Sequence, residues 1–346
     1  MAKDTQRVLI VGQTDPANLE YSYRRAFESL GCEVMMFDII AAVDHHCRLG
    51  WFGRLLNTFF PVASWDRKAN RDLVLEAIRL QPHLILVFGF YPVRAGALAQ
   101  IKASIDVALV HVWPDPLVNL DDATVCCLPL FDLEASYSES TLGVFEKLGA
   151  RKPVWIPLAA DLSLHAVTEC TEQERNVLGA EVAFIGGWRP EREQILSQLG
   201  SFDLKIWGPE WGRRCRGNQA IMRAWQGRPL QGAEFAKAVS CSKINLNIID
   251  SSIRQPANMR FFEIPAAGGV QVSSSCTEME SEFRHGEHIF YYESSDQLVA
   301  LIASLKSNEE LRMRVAAAGH ALVKAKHTYQ HRAQMILEYL SAVRSP

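Results

Sequence analysis

A chain of 346 residues has room for two domains of ordinary size, each able to bury its own core. With 48% apolar and 22% charged residues and a formal net charge of -3, it has the makeup of a globular protein, and no basic run marks a nucleic-acid partner. No apolar stretch reaches the ~20 residues that a membrane-spanning helix needs.

The first residues run directly into a strand with no signal-peptide core. The eight cysteines form no C-x-x-C and no secreted-scaffold spacing, so free thiols in a reduced, cytoplasmic chain are expected. Strands and helices then alternate. An apolar run over 7–12 closes on Gly12, and a helix over 21–30 capped by Gly31 leads to a strand over 32–38. This opening predicts a parallel sheet. A helix over 71–80 precedes strands at 84–89, 107–113 and 134–138. A helix over 139–148 follows, with a short strand at 154–157.

The polar stretch 161–179, rich in Thr and Glu, shows no apolar period and reads as a linker between a first domain, 1–160, and a second, 180–326. The pattern restarts with a strand over 182–187, a helix over 190–199 and a strand over 204–208. After an irregular segment come a strand over 244–248, a helix-turn-strand block over 258–275 and a strand over 289–292. Helices follow over 295–305 and 309–326, and a last one occupies 327–346. Two successive doubly wound α/β halves are implied, with ligands expected at the carboxyl ends of the strands, in a central cleft.

The densest chemistry lies in 258–273, NMRFFEIPAAGGVQVS. Arg260 and Glu263 are three residues apart and share one helical face, about 5–6 Å from each other. A guanidinium and a carboxylate so placed suit a nucleotide diphosphate, one on phosphate and the other on the ribose diol. They would equally suit each other, as a simple ion pair. Gly268 and Gly269 allow close approach to a ligand or to a neighbouring strand.

Residues 260–269 resemble the R-x-F-E-x-x-A-x-G-G signature of the CgeB-like glycosyltransferases, bacterial members of the large GT-B group. The resemblance implies two Rossmann-like domains, a nucleotide-sugar donor held by the second and an acceptor held by the first. In related retaining enzymes the block belongs to a longer motif, E-x(7)-E. Glu263 matches its second glutamate, the ribose ligand, whereas the first falls at Gln255. Gly186 and Gly187, followed by Arg189 and Arg192, resemble the family's strand end and arginine-bearing helix start. Unpaired amides there would cradle phosphate, unless the arginines are simply solvated. Asn258 opens the same block as Arg260.

Trp113-Pro114-Asp115-Pro116 resembles a W-x-D-D-P-type segment of the family. Asp115 is a candidate base for an inverting reaction, or else a solvated residue on a rigid proline turn. His111 reads as a core histidine. The pairs His45-His46 (with Cys47) and His327/His331 have too few companion ligands for a metal site. No D-x-D motif is present, so arginines and helix amides are expected to meet the leaving-group charge without a metal or other cofactor. The segment 49–60, rich in Trp and Phe with one arginine, either lies at the inner face of a membrane, near a lipid-linked acceptor, or packs on protein. The implied activity is sugar transfer from a nucleotide sugar to a glycan, protein or lipid-linked acceptor. An epimerase on the same fold and a non-catalytic binding or assembly protein are the alternatives.

Overall fold

The computed structural model describes residues 5–47, 50–60, 62–89, 91–249 and 256–344. Two compact units divide the chain, Met1–Pro157 with Tyr329–Pro346, and Leu158–Thr328.

The first unit runs β1 (Arg7–Gly12), α1 (Leu19–Ser29), β2 (Glu33–Asp38), α2 (Ile39–His46), α3 (Gly50–Phe59), α4 (Ala63–Leu80), β3 (Leu84–Phe88), α5 (Ala95–Ser104), β4 (Ala108–Trp113), α6 (Asp122–Cys127), β5 (Leu133–Ser136), α7 (Leu142–Lys147) and β6 (Pro153–Trp155). Its strands form one parallel sheet in the order β2-β1-β3-β4-β5-β6. The central strands are apolar on both faces because helices cover both faces. Leu9, Val11, Ile85, Val87 and Leu109 are buried against Leu73, Ala77 and Leu98 of the helices. Gly31 ends α1 with a φ of 83°, the left-handed turn expected of it.

The second unit runs α8 (Glu172–Leu178), β7 (Val182–Ile185), α9 (Pro190–Ser197), β8 (Leu204–Trp207), α10 (Trp211–Arg214), α11 (Gln219–Ala224), α12 (Gly232–Cys241), β9 (Ile244–Asn247), α13 (Met259–Ala266), β10 (Gln271–Ser274), β11 (Phe290–Tyr292), α14 (Ser295–Ser307) and α15 (Glu309–Lys326). A separate parallel sheet orders its strands β11-β10-β9-β7-β8. The chain then returns to the first unit through α16 (Tyr329–Arg344), whose Tyr329 ring lies 5.2 Å from that of Tyr23 on α1. The Arg332 Nε donates to the Pro157 carbonyl at 2.7 Å, anchoring the start of this helix to the end of the first sheet.

Three observations differ from the sequence expectations. The stretch 161–179 belongs to the second unit and carries α8, whose start is a capping box between Thr171 and Glu174. The segment expected to be irregular before β9 holds α10, α11 and α12. And the cysteines are not all free: Cys170 and Cys241 form a disulfide with their Cα atoms 6.1 Å apart, tying the approach to α8 to the end of α12.

Candidate functional site

In the second sheet β7 lies between β8 and β9, so the chain leaves its carboxyl end in one direction and that of β9 in the other. Such a switch point leaves an open crevice where α/β sheets hold ligands. The start of α13 is fastened across it. Asn258 caps the helix, its Oδ1 accepting from the Phe261 amide at 3.1 Å, and its Nδ2 donates to Asn247 Oδ1 at 2.9 Å, at the end of β9. On the next turn the Arg260 Nε donates to the Ile185 carbonyl at 3.2 Å, at the end of β7. The guanidinium lies over the Phe235 ring, 4.2 Å from its centroid, which fixes its plane.

Arg260 Nη1 donates to Glu263 Oε2, so the pair expected on one helical face does join. The carboxylate is not an open surface group outside the core: Glu263 is only 2% exposed. Its other oxygen lies 3.6 Å from the Nε2 of His165, which stands edge-on to Phe235 with ring centroids 5.5 Å apart. The carboxylate is thus held between a guanidinium and an imidazole. Arg260 keeps 31% of its side chain exposed, so the cation has a free flank where the anion does not.

Gly186 completes this corner. Its amide donates to the Trp207 carbonyl at 2.9 Å, and its own carbonyl accepts from Trp211 Nε1 at 2.8 Å. Gly208 crosses it so closely that a Cβ there would sit 2.0 Å from the Gly186 oxygen. The Gly187 carbonyl accepts from Arg192 Nη1 at 2.8 Å, and Arg192 also lies over the Phe184 ring at 5.6 Å. Arg189 is the N-cap residue of α9, whose first turn contains Glu191 and Glu193. Carboxylates already meet the positive end of that helix. Glu193 accepts from Trp188 Nε1 and Asn218 Nδ2, and although burial pushes the other way these bonds hold its carboxyl below the usual range.

Gly268 and Gly269 are not brought to this corner. They precede β10 at the amino edge of the sheet, where Gly268 has a φ of +74° and a Cβ on Gly269 would meet Val239 at 2.4 Å. Their observed use is close packing of α12 and the 165–168 segment. Gln255 lies outside the described residues.

The first sheet repeats the topology with different side chains. At the end of β1, a Cβ on Gly12 would strike Glu20 at 2.6 Å; the buried Glu20 accepts from the Gln13 amide and from the Tyr91 hydroxyl beyond β3. Asp38, at the end of β2, accepts from the amide and hydroxyl of Thr14. Asp115 follows β4, half-buried, and burial raises its carboxyl pKa. Beside it His111 and Glu134 form a sealed pair at 2.9 Å, each 1% exposed, and His111 Nε2 meets the Gly89 carbonyl at 2.9 Å. A carbonyl only accepts, so Nε2 carries a proton.

Neither histidine cluster seen in the sequence converges on a metal. His46 pairs with Asp72 at 2.5 Å and His327 with Glu282 at 2.9 Å; among the described residues no three His, Cys, Asp or Glu side chains are grouped to hold a metal ion. Glu20, Asp38, Tyr91 and His165 were not signalled by any motif. Glu20 and Tyr91 meet only through the fold, and His165 stands alone in a polar stretch.

Residues 189–338, which include Arg260 and Glu263, match a protein-family model described as glycosyl transferase-like. No curated protein matches the chain. Solved structures similar to it include Anabaena HepE in complex with UDP-glucose (15% identity, 97% of this chain and 99% of that chain, TM-score 0.65). Others are sucrose-phosphate synthase from Thermosynechococcus elongatus (12%, 98% and 99%, 0.69) and the trehalose 6-phosphate synthase from Burkholderia multivorans (12%, 99% and 100%, 0.65). Two parallel-sheet Rossmann-like units, aligned end to end with these structures, make this chain a protein of the GT-B fold, with a glycosyl transferase-like segment over residues 189–338.

Proposed function

We propose that the protein is a glycosyltransferase that moves a sugar from a nucleotide-sugar donor to a glycan, protein or lipid-linked acceptor, and that within the GT-B group it is CgeB-like. The observation that carries this reading is Arg260, stacked on Phe235 and anchored to the end of β7 with one flank open, next to the buried carboxylate of Glu263. UDP-glucose bound to HepE supports a donor of this class.

In this reading the donor diphosphate takes Arg260 away from Glu263. The freed carboxylate, held in place by His165, then accepts the ribose hydroxyls. As the bond between the sugar and the diphosphate breaks, charge builds on the leaving oxygen, and the planar guanidinium meets it more strongly than in the ground state. Arg189 and Arg192 add positive charge near Gly186 and Gly187. With guanidiniums in that role, turnover is expected to survive chelation of divalent ions. The first unit takes the acceptor, where Asp115, its proton affinity raised by burial, is the base if the outcome is inversion.

Thermal unfolding in the presence of nucleoside diphosphates tests the proposal. A ligand at 100 times its Kd adds about 2.7 kcal/mol of stability. Nucleoside diphosphates and nucleotide sugars should raise the midpoint of the wild type and leave Arg260→Ala unmoved; free sugars should move neither. Equal stabilisation of both proteins would remove Arg260 from the site.

A further inference from the structure

An ordinary surface helix turns its apolar residues inward. Helix α3 does the reverse. Trp51 is 76% exposed, Phe59 70% and the following Phe60 74%, with Phe52 and Leu55 about half exposed, whereas among the residues whose burial is described the buried position is Gly53. At 100° per residue, Trp51, Leu55, Phe59 and Phe52 fall within one stripe about a quarter-turn wide. The helix holds a single charged residue, Arg54, exposed at the flank of that stripe.

The next helix adds a second, complementary stripe. On α4, Arg67, Lys68, Arg71, Leu75 and Ile78 share one face by their spacing, and all are exposed. The carboxylates of this part of α4 are already engaged, Asp66 with Arg94 at 3.1 Å and Asp72 with His46 at 2.5 Å. Two consecutive helices therefore offer exposed aromatic rings and exposed cations, with the carboxylates beside those cations paired to Arg94 and His46. Neither is long and apolar enough to cross a bilayer.

We infer that α3 and the first half of α4 dock the protein on an anionic lipid surface, with Trp51, Phe52, Leu55 and Phe59 entering the headgroup region and Arg67, Lys68 and Arg71 meeting lipid phosphates. Aromatic side chains settle at that depth, and cations beside them add attraction that salt screens. A protein partner would need an acidic apolar groove; a bilayer supplies both features on any flat patch. The inference stands apart from the donor site and does not depend on it.

The test is flotation of the full-length protein with vesicles of phosphatidylcholine, with and without phosphatidylglycerol. The protein should float with the anionic vesicles and remain below with the neutral ones. Trp51→Ser, Phe52→Ser and Phe59→Ser together should abolish flotation, and Arg67→Glu with Arg71→Glu should weaken it by about thirtyfold or more, both with unchanged circular dichroism and unfolding midpoint. No flotation, equal flotation with both vesicle types, or unchanged flotation of the variants overturns the inference. So does a lipid-independent dimer lost in the triple serine variant, which would assign the face to a second copy of the chain.

Discussion

The two sheets share a strand order around their switch points and differ in what they place there. At the end of β7 in the second unit stand Arg260 and His165 against one buried carboxylate, with Arg192 close to the neighbouring turn. Around β1, β2 and β4 in the first unit stand Glu20, Asp38 and Asp115, with the Tyr91 hydroxyl on Glu20 and, among the described residues, no arginine or lysine bonded to any of the three. The same backbone plan thus gives a cationic corner and an acidic one. In the proposed reading the first would take the donor diphosphate and the second an acceptor whose hydroxyl groups donate hydrogen bonds. Topology supplies the crevice and side chains decide its ligand.

The sharpest way to break this contrast is at the sealed pair under the acidic corner. Burial alone lowers the His111 pKa, but Glu134 and the Gly89 carbonyl outweigh it and the net direction is upward; burial raises Glu134 against the pull of His111. Removing one partner from such a pair costs about 3–5 kcal/mol, so Glu134→Leu should lower the unfolding free energy by that amount in urea titrations. Replacing both by leucine should cost far less. Both groups bind protons more tightly folded than unfolded, so stability falls as pH rises. The His111 contribution is complete below about pH 6.5 and is lost as pH climbs through its raised pKa. The double variant should lack that slope.

Next in size is Arg260→Lys. Lysine keeps the charge but not the planar fork, and loss of one such donor slows turnover about 10²–10³-fold. Initial rates at saturating donor should show this in kcat, with a smaller change in KM. Gly208→Ala should follow, since a Cβ 2.0 Å from the Gly186 oxygen forces the two turns apart. A destabilisation of about 1–3 kcal/mol is expected, with weakened nucleotide binding, whereas Gly217→Ala, which meets nothing within 4 Å, should show neither.

Much of this was legible in the sequence. The strands stood out because doubly covered parallel strands are continuous apolar runs, as in 8–11 and 84–88, and Gly12, Gly31 and Gly186 punctuate them. The i, i+3 spacing put Arg260 and Glu263 together without any knowledge of the third dimension. What escaped had no local period. Helix α8 buries only Leu178, so its apolar pattern is nil, although Thr171 and Glu174 signalled its start. Helices α10 and α11 are too short, at four and six residues, to show a face. The Cys170–Cys241 bridge spans 71 residues, and no spacing rule reaches that far. His165 and Tyr91 gained partners only when distant segments folded against them. The burial of Glu263 escaped for the same reason, because its neighbour His165 lies outside its own helix.

The central claim is that Glu263 and Arg260 form the nucleotide site of the second unit, and calorimetric titration of a nucleoside diphosphate into wild type and Glu263→Gln tests it most directly. Glutamine keeps the shape and loses the charge, so affinity should fall by about 1–3 kcal/mol, roughly a factor of 5–150 in Kd. Unfolding curves run alongside separate this from lost folding, since the carboxylate is buried and bonded to Arg260. A Kd for Glu263→Gln equal to that of wild type would contradict the account and leave the pair as a structural tie between α13 and β7.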